Sequence, residues 1–403
     1  MNACPPAISP DEIRRAIASD AFIFHYQPKV SLHTGQVNGA EALIRWPRGD
    51  TLVPPGAFIP VTETHGMMAP LARAMFPKLL ADLVIILDLR PEFVVSFNLT
   101  AGDFESPDLV DLMRESLHRY RLDPRHLQVE LTESSVINSS GEARRHIQAL
   151  VDMGVQLAMD DFGTGYSSID VLSQWPFSVV KLDQGLIQRM LTSEKSTTIV
   201  QASIRMAHQL GISVVAEGIE SAAVYDFLLA SGCSDAQGFW MGHPMALSEL
   251  LGFLRSDQRW SGIPIGLIHM AQLDHIQWRR SLIELVTAAA FTGTGHASVR
   301  SVEAELNPRL CKLGQWYYGL GQQFKGHPAF DQLEKPHRQL HEIGTELVEA
   351  VQENASREEI TLQLRRLTRQ SGLVISLLQE LESEALLERG GFTQHGPKPP
   401  SGC

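Results

Sequence analysis

Cysteine is scarce in this sequence, and long apolar runs are missing. The 403 residues include only four cysteines and no CxxC pair, which excludes a disulfide framework. The most apolar stretch, Leu79 to Leu89, is interrupted by Asp82 and Asp88 and is too short to cross a bilayer. The N-terminus lacks a basic segment followed by an apolar one, so no signal peptide is expected. We therefore expect a cytoplasmic protein with no membrane partner.

Basic residues are also few. Lys and Arg total 34 against 46 Asp and Glu, which gives a formal net charge of −12. Nucleic-acid polymers and anionic membranes are held by basic surface, so neither is expected as a partner. A small anionic ligand is still allowed, because metal ions and a few local cations can hold it. The length favours two domains.

From residue 10 to residue 254, short β-rich apolar runs alternate with amphipathic helical stretches. This alternation indicates parallel βαβ units, and their number predicts an α/β fold of the (β/α) barrel type. The predicted strands are Phe22 to Val30, Gly39 to Trp46, Phe93 to Leu99, Leu127 to Leu131, Gln156 to Met159, Val179 to Leu182 and Ser213 to Ala216.

Polar residues lie in or just after most of these strands. In a barrel of this type such residues converge on the carboxyl-terminal rim, where active sites are built. Any one of them could simply mark a strand end near solvent, and Asp160-Asp161 alone could be a turn or a helix cap. Several carboxylates with one Asn and one Lys, repeated strand after strand, instead predict a metal site. The set comprises Glu41, Asn98, Glu130, Asp160, Lys181 and Glu217.

The chain changes character after residue 254. Residues 255–266 combine charges with Pro and Gly and are predicted to form a linker. Residues 267–387 show helical periodicity without β-runs, which predicts an all-α four-helix bundle. Its helices are predicted at Leu267 to Phe291, Leu310 to Phe324, Phe330 to Glu353 and Arg357 to Leu386. Residues 388–403, rich in Gly, Pro and Ser, are predicted to be a disordered tail.

Glu41-Ala42-Leu43-Ile44-Arg45-Trp46 resembles the signature of EAL-domain cyclic-di-GMP phosphodiesterases. The resemblance covers residues 10 to 254 in the order and spacing of that family. Its further motifs are Tyr26-Gln27-Pro28, Phe58-Ile59-Pro60, Asn98-Leu99-Thr100-Ala101, Glu130-Leu131-Thr132-Glu133-Ser134, Asp160-Asp161-Phe162-Gly163, Lys181-Leu182-Asp183, Ala216-Glu217-Gly218-Ile219-Glu220 and Gln237-Gly238.

The resemblance implies hydrolysis of cyclic-di-GMP to linear pGpG with two Mg²⁺ or Mn²⁺ ions, hard cations that prefer oxygen ligands. It implies metal ligands at Glu41, Asn98, Glu130, Asp160, Asp161 and Glu217. Lys181, Glu217 and Glu133 belong to the implied catalytic group, in which Lys181 orients the attacking water and Glu133 anchors the site. Gln27 and Arg45 would contact the substrate, and Glu220 and Gln237 would support the site.

The helical region has a constellation of its own in Asp274-His275, Cys311-Lys312-Leu313-Gly314-Gln315-Trp316 and His337-Arg338-Gln339-Leu340-His341. His337 and His341 are four residues apart and share one helix face. Such residues can simply pack in a helical core. Together, three imidazoles and one thiolate also form a tetrahedral set suited to Zn²⁺.

These segments resemble the chemoreceptor zinc-binding domain, a four-helix bundle, over residues 268 to 385. The resemblance implies one Zn²⁺ held by His275, Cys311, His337 and His341. A site with four protein ligands is closed, so its implied role is structural or regulatory. Oxidation of Cys311 is the alternative signal.

Three functions remain open on the sequence. The complete metal set favours an active phosphodiesterase over a catalytically silent cyclic-di-GMP receptor or an interaction module. The resemblance also implies a homodimer, and no diguanylate-cyclase motif is present.

Overall fold

The computed structural model of the protein describes residues 8–105, 107–137, 139–163, 168–260, 265–292 and 306–391. The chain forms two compact units, the first containing most residues up to Gly262 and the second those from Ile263 onward. None of the helices described is both long enough and apolar enough to cross a bilayer.

The first unit carries the strands. They are β1 (Ile23–Ser31), β2 (Val37–Arg48), β3 (Thr51–Val53), β4 (Val94–Asn98), β5 (Leu127–Thr132), β6 (Gln156–Phe162), β7 (Val179–Leu182), β8 (Ser213–Ala216) and β9 (Asp235–Gln237). The helices that accompany them are α1 (Pro10–Ala18), α2 (Pro55–Thr64), α3 (Met68–Leu89), α4 (Asp108–Tyr120), α5 (Glu133–Ile137), α6 (Gly141–Asp152), α7 (Ser168–Gln174), α8 (Gln184–Met190), α9 (Glu194–Leu210), α10 (Ala222–Ala230) and α11 (Leu247–Arg255), with 3₁₀ turns at Ala101–Phe104 and Pro124–His126.

Within the described residues, eight strands close into a barrel in the order β1-β9-β8-β7-β6-β5-β4-β2. The successive pairs from β2–β4 through β8–β9 are parallel. Strand β1 is antiparallel to both β2 and β9, where Lys29 pairs with Gln237, and this pair of contacts closes the barrel. Strand β3 only extends β2 as a hairpin. The predicted (β/α) barrel is confirmed, although the short strands β3 and β9 were not predicted.

Successive side chains along each strand point to opposite faces of the barrel wall. On β5, Leu127, Val129 and Leu131 are fully buried, as expected for the face that packs against the surrounding helices. Gln128 and Glu130 lie between them and are buried as well, at 3% and 0% exposure. A charged side chain in that position must find partners inside the barrel, because a lone buried charge is costly.

The second unit is helical, as predicted. It consists of α12 (Ile265–Thr287) with a π-helical turn at Ala288–Thr292, α13 (Lys312–Tyr318) with a 3₁₀ turn at Leu320–Phe324, α14 (Pro328–Gln352) and α15 (Arg357–Gly391). The helix predicted over Leu310 to Phe324 is divided at Gly319, whose ψ of −113° is not helical. Helix α15 continues to Gly391, past the predicted start of the tail, and residues 392–403 lie outside the described residues.

Two apolar clusters form the core of the helical unit. One contains Trp316, Tyr317 and Phe330, which pack against Leu378 of α15. The other contains Leu282, Val286, Leu340, Leu347 and Leu367. Along α14, Leu333 belongs to the first cluster and Leu340 to the second, so the histidine-bearing turn between them lies where the two clusters meet.

Candidate active site and metal centre

The barrel strands bring the predicted rim residues together. Glu41 lies on β2, Asn98 ends β4, Glu130 lies on β5, Asp160 on β6 and Lys181 on β7, while Glu217 directly follows β8. The register aligns them, since Asn98 pairs with Glu130 and Thr132 with Asp160. Parallel strands end at the same edge of a sheet, so side chains from six positions distant in sequence meet there.

Lys181 lies at the centre of this cluster. Its side chain is 1% exposed, and its Nζ atom is 2.5 Å from Glu130 Oε2 and 2.6 Å from Glu217 Oε1. The same atom lies 3.3 Å from Asp160 Oδ1 and 3.5 Å from Glu41 Oε2. Burial alone would lower the pKa of Lys181, but the four carboxylates outweigh it and raise that pKa well above its ordinary value. The lysine is therefore a fixed positive charge.

The carboxylates outnumber the cations that face them. Burial raises the pKa of Glu130 to about 6 and that of Glu217 to about 8. Burial and the neighbouring Asp160 also raise the pKa of Asp161. Among the described residues, this concentration of negative charge is only partly neutralised by Lys181, so the site is suited to further cations.

Glu41 is fixed by hydrogen bonds to both of its oxygens. Gln237 Nε2 donates to Oε2 at 2.6 Å and Asn98 Nδ2 donates to Oε1 at 2.7 Å. Burial tends to raise the pKa of Glu41, but Lys181 and these two donors together hold it below its ordinary value. Gln237 also donates to Gln27 Oε1 at 3.2 Å, so one amide joins two of the predicted site residues. Glu41 is therefore an ionised and oriented carboxylate.

The residues present fit divalent metal ions. The donors are carboxylate and amide oxygens, which Mg²⁺ and Mn²⁺ prefer. Glu130 Oε1 is buried without a hydrogen-bond partner, and the nearby Lys29 Nζ lies 3.9 Å from it. Asp161 follows Asp160 at a φ of 58°, a conformation uncommon for a residue with a side chain and typical of functional sites.

A cavity of about 310 Å³ opens over this cluster. Glu41, Asp160, Lys181 and Glu217 line it on one side, and the aromatic ring of Phe239 lies at its edge. It is large enough for part of a small organic ligand. Most of the residues that line the cavity are charged or polar, as expected for a site that binds an anion through metal cations.

A second constellation lies in the helical unit. Cys311, His337 and His341 are all buried, and one ligand atom of each lies within 4.8 Å of the others. Cys311 Sγ is 3.3 Å from His337 Nε2, which is 3.2 Å from His341 Nε2. Two nitrogens on a tetrahedral Zn²⁺ with bonds of about 2.0–2.1 Å would be about 3.3 Å apart. The three residues therefore fit zinc.

The fourth predicted zinc ligand is not part of this cluster. His275 is buried, but its Nε2 atom lies 2.9 Å from Ser371 Oγ on α15. Burial lowers the pKa of His275 to about 4, that of His337 to about 3 and that of His341 to about 4, so all three imidazoles are neutral at pH 7, as metal ligands must be. Burial raises the pKa of Cys311 to about 11, so metal binding there must release a proton.

Comparison with known proteins accounts for both constellations. The model of the EAL domain family matches residues 11–244, and that of the chemoreceptor zinc-binding domain matches residues 275–348. The chain belongs to the EAL domain family. It also carries a chemoreceptor zinc-binding domain.

Two proteins that resemble the EAL domain carry names that state an activity. The cyclic di-GMP phosphodiesterase RocR of Pseudomonas aeruginosa is 34% identical over 243 residues, which is 60% of this chain and 62% of that protein. The bifunctional diguanylate cyclase/cyclic di-GMP phosphodiesterase MucR of the same species is 35% identical over 60% of this chain and 35% of that protein. A structure of the MucR phosphodiesterase in complex with c-di-GMP superimposes with a TM-score of 0.56 at 34% identity, covering 60% of this chain and 98% of that one. The chain thus spans 62% or less of these two curated relatives.

Other predicted residues of the EAL domain lie around the rim cluster. Gln27 and Glu220 line the same cavity as Lys181, and Glu220 accepts a hydrogen bond from Gln188. Glu133 is buried at the start of α5. Arg45 is half-buried on β2, where its Nη1 donates to the carbonyl of Ile44, and it does not line that cavity.

Sequence reasoning missed a second buried lysine beneath the rim of the EAL domain. Lys29 on β1 is 5% exposed, and its Nζ donates to Ser96 Oγ at 2.9 Å and to Gln128 Oε1 at 3.0 Å. A Cβ atom on Gly39 would lie 2.6 Å from the carbonyl oxygen of Val94 and 3.3 Å from Lys29 Cε, so a glycine fits beside the lysine where a larger residue would not. The available signal was period-two spacing, since Lys29 lies two residues from Gln27 and points to the same side.

Proposed function

We propose that the barrel hydrolyses cyclic-di-GMP to linear pGpG with two divalent metal ions. The observation that carries this proposal is the position of Lys181 among the carboxylates of Glu41, Glu130, Asp160 and Glu217, at the base of an open cavity. The activities for which RocR and MucR are named, and the MucR complex with c-di-GMP, support the same substrate for this chain.

Hydrolysis of a phosphodiester needs a nucleophile made from water, neutralised phosphate charge and a stabilised leaving oxygen. Two divalent cations held by Glu41, Asn98, Glu130, Asp160, Asp161 and Glu217 would supply this chemistry. These oxygens lie on or directly after five strands of the barrel, which keeps their geometry rigid. The limited exposure of the cluster excludes bulk water from all but the cavity side.

Lys181 acts on the attacking water in this proposal. Its ammonium group is held by Glu130 and Glu217, so its position is fixed before the substrate binds. An ammonium group that stays charged can donate a hydrogen bond to a water and keep its lone pair directed at phosphorus. Gln27 and Arg45 contact the substrate, where the planar guanidinium of Arg45 suits a phosphate oxygen.

Turnover with Mg²⁺ or Mn²⁺, followed by chromatography of pGpG, tests the proposal. Wild-type protein is expected to form pGpG, and Glu41→Ala is expected to abolish its formation. Glu115→Ala changes an exposed carboxylate on α4 and serves as the matched control. Binding of cyclic-di-GMP by wild-type protein without turnover in either metal would replace the enzyme with the receptor alternative.

We also propose that zinc in the helical domain regulates the barrel. Zinc can change activity only if the active and inactive conformations bind it with different affinities. Phosphodiesterase rates of wild type and Cys311→Ala across buffered free zinc test this, and flat, superimposable curves would discard it. Oxidation of Cys311 is the competing signal, and a response to oxidant at fixed free zinc would favour it. The homodimer stays a prediction.

A further inference from the structure

Three of the four predicted zinc ligands lie together in the structure, and the fourth lies apart from them. Cys311 and His337, and likewise His337 and His341, already lie about as far apart as two ligands of one tetrahedral zinc. His341 Nδ1 is bonded to the carbonyl of Leu306 at 2.9 Å, which leaves Nε2 for a metal. The amide of Gly314 donates to Cys311 Sγ at 3.2 Å. The surrounding backbone thus holds Cys311 and His341 in place before any metal binds, and His337 contacts both of them.

His275 is held elsewhere. Its side chain is 2% exposed, and its Nε2 atom lies 2.9 Å from the hydroxyl of Ser371, which is fully buried. The same hydroxyl lies 3.3 Å from Nη1 of Arg279. His275 and Arg279 both belong to α12, and Ser371 belongs to α15. One hydroxyl thus connects two polar side chains of α12 to the facing helix.

One of these hydrogen bonds has a fixed direction, and the other has two possible directions. A guanidinium can only donate, so Arg279 uses the oxygen of Ser371 as an acceptor. Ser371 can then donate its single hydrogen to His275 Nε2. A neutral imidazole has one nitrogen lone pair, and donation by Ser371 occupies it. A metal must take the same lone pair, so in this arrangement zinc and Ser371 compete for His275.

We propose that Ser371 withholds His275 from zinc and thereby sets the zinc affinity of the helical centre. Capture of zinc by all four ligands requires His275 to leave Ser371. This exchange removes a buried hydrogen bond between α12 and α15, beside the Nε atom of Arg279, which is buried without a hydrogen-bond partner. Zinc binding is thereby coupled to the packing of these two helices. The inference rests on zinc binding by this domain and not on phosphodiesterase activity.

The opposite protonation of His275 would reverse the effect of Ser371. If Nε2 carried the proton, it would donate to Ser371 and leave Nδ1 for the metal. Ser371 would then orient a ligand, as partners of metal-bound histidines commonly do. Removing its hydroxyl would weaken zinc binding in that case and strengthen it in the case we propose. The sign of one measured change separates the two arrangements.

The test is the zinc affinity of Ser371→Ala, measured by competition with a chromogenic chelator. We expect zinc to bind about three- to tenfold more tightly than to wild type, the range expected for the loss of one competing hydrogen bond. Unchanged or weaker binding would overturn the proposal. Ser376→Ala, which removes an exposed hydroxyl from the same helix, is the matched control and leaves the affinity unchanged. Failure of wild type itself to bind zinc would instead disprove the domain's predicted function.

Two further measurements keep the test independent of that variant. In a His275→Ala background, Ser371→Ala is expected to leave zinc affinity unchanged, and a persisting gain would contradict the competition. In zinc-free wild type, the ¹⁵N chemical shifts of the His275 ring are expected to show the tautomer protonated on Nδ1. The tautomer protonated on Nε2 would overturn the proposal even if every variant folded.

Discussion

Lys181 Nζ lies 2.6 Å from Glu217 Oε1, and this contact joins β7 to the residue that follows β8. The two groups differ in how burial affects them. Lys181 stays charged because it is surrounded by carboxylates, whereas burial raises the pKa of Glu217 to about 8. A cation that replaced the proton on Glu217 would leave the lysine in place. The two residues therefore have different tasks. Lys181 supplies a permanent positive charge, and Glu217 carries a proton that a metal cation can replace.

Replacing Lys181 tests the first of these tasks. We expect Lys181→Met to lower the rate of pGpG formation at least about 100-fold, within the range for loss of a group that acts on a proton or nucleophile. Binding of Mn²⁺, measured by calorimetry, should be retained because no ligand is removed. Lys78→Met, which alters a lysine bound to the carbonyls of Asp20 and Phe22, should keep wild-type turnover. A loss below tenfold for Lys181→Met would contradict the assigned role.

Gln237 should matter through Glu41 and not through the substrate. Its amide donates to Glu41 Oε2 at 2.6 Å, so Gln237→Leu removes one of the donors that orient this metal ligand. We expect the affinity for Mn²⁺ to fall about 10- to 100-fold, the range seen for partners of metal ligands. Gln148→Leu, on the exposed face of α6, is the control. Equal Mn²⁺ affinities in the two variants would show that Glu41 does not depend on this amide.

Gly314 should be required for the zinc centre because there is no space for a side chain. A Cβ atom there would lie 1.9 Å from the carbonyl oxygen of Pro308, and the Gly314 amide donates to Cys311 Sγ. We expect Gly314→Ala to weaken zinc binding at least about tenfold and to destabilise the domain by about 1–3 kcal/mol. Gly372→Ala, where nothing lies within 4 Å, should stabilise α15 by about 0.5–1 kcal/mol. Chelator competition measures the zinc affinity of the variants, and thermal unfolding measures their stability.

Removing zinc should lower the stability of the helical unit. A ligand present at 1,000 times its dissociation constant stabilises the folded state by about 4 kcal/mol. We therefore expect a zinc-selective chelator that spares Mg²⁺ to lower its unfolding temperature in calorimetry. Cys311→Ser should start from the lower temperature and show no further shift. A chelator effect of equal size in both proteins would mean that zinc acts elsewhere.

His33 makes the stability of the barrel depend on pH. Its Nε2 atom is buried without a hydrogen-bond partner, and burial, with a smaller effect of His208, lowers its pKa from 6.5 to about 4. The unfolded chain takes up a proton near pH 6.5 and the folded chain does not, so this stability is present above pH 6.5 and is lost as the pH falls towards 4.

At pH 5 the loss amounts to about 2 kcal/mol relative to pH 8. We expect His33→Phe, which cannot take up a proton, to lose about that much less stability than wild type between these pH values. Urea unfolding at both pH values measures the difference. Identical pH dependence in the two proteins would show that His33 is protonated as easily in the fold as outside it.

The alternation of apolar runs was enough to predict the barrel and most of its rim, because strand-end positions follow from period and order alone. The three residues of β9 have no apolar run, and they form a strand only because β8 and β1 leave an edge that pairs with them. Lys29 escaped prediction since its partners, Ser96 and Gln128, come from other strands. The position of His275 depends on the rotation of α12 against α15, which helical periodicity does not specify closely enough to choose between a metal and Ser371.

The closing pair of the barrel has a consequence for its synthesis. Lys29 on β1 pairs with Gln237 on β9, which leaves 207 residues between the partners. At a translation rate of about 5–20 residues per second, β9 follows β1 by about 10 to 40 s. Until then β1 has only its hairpin partner β2, and its other edge is open to wrong strands. A nascent chain that stops before β9 therefore has an open sheet, and closure of the barrel is a late event in its folding.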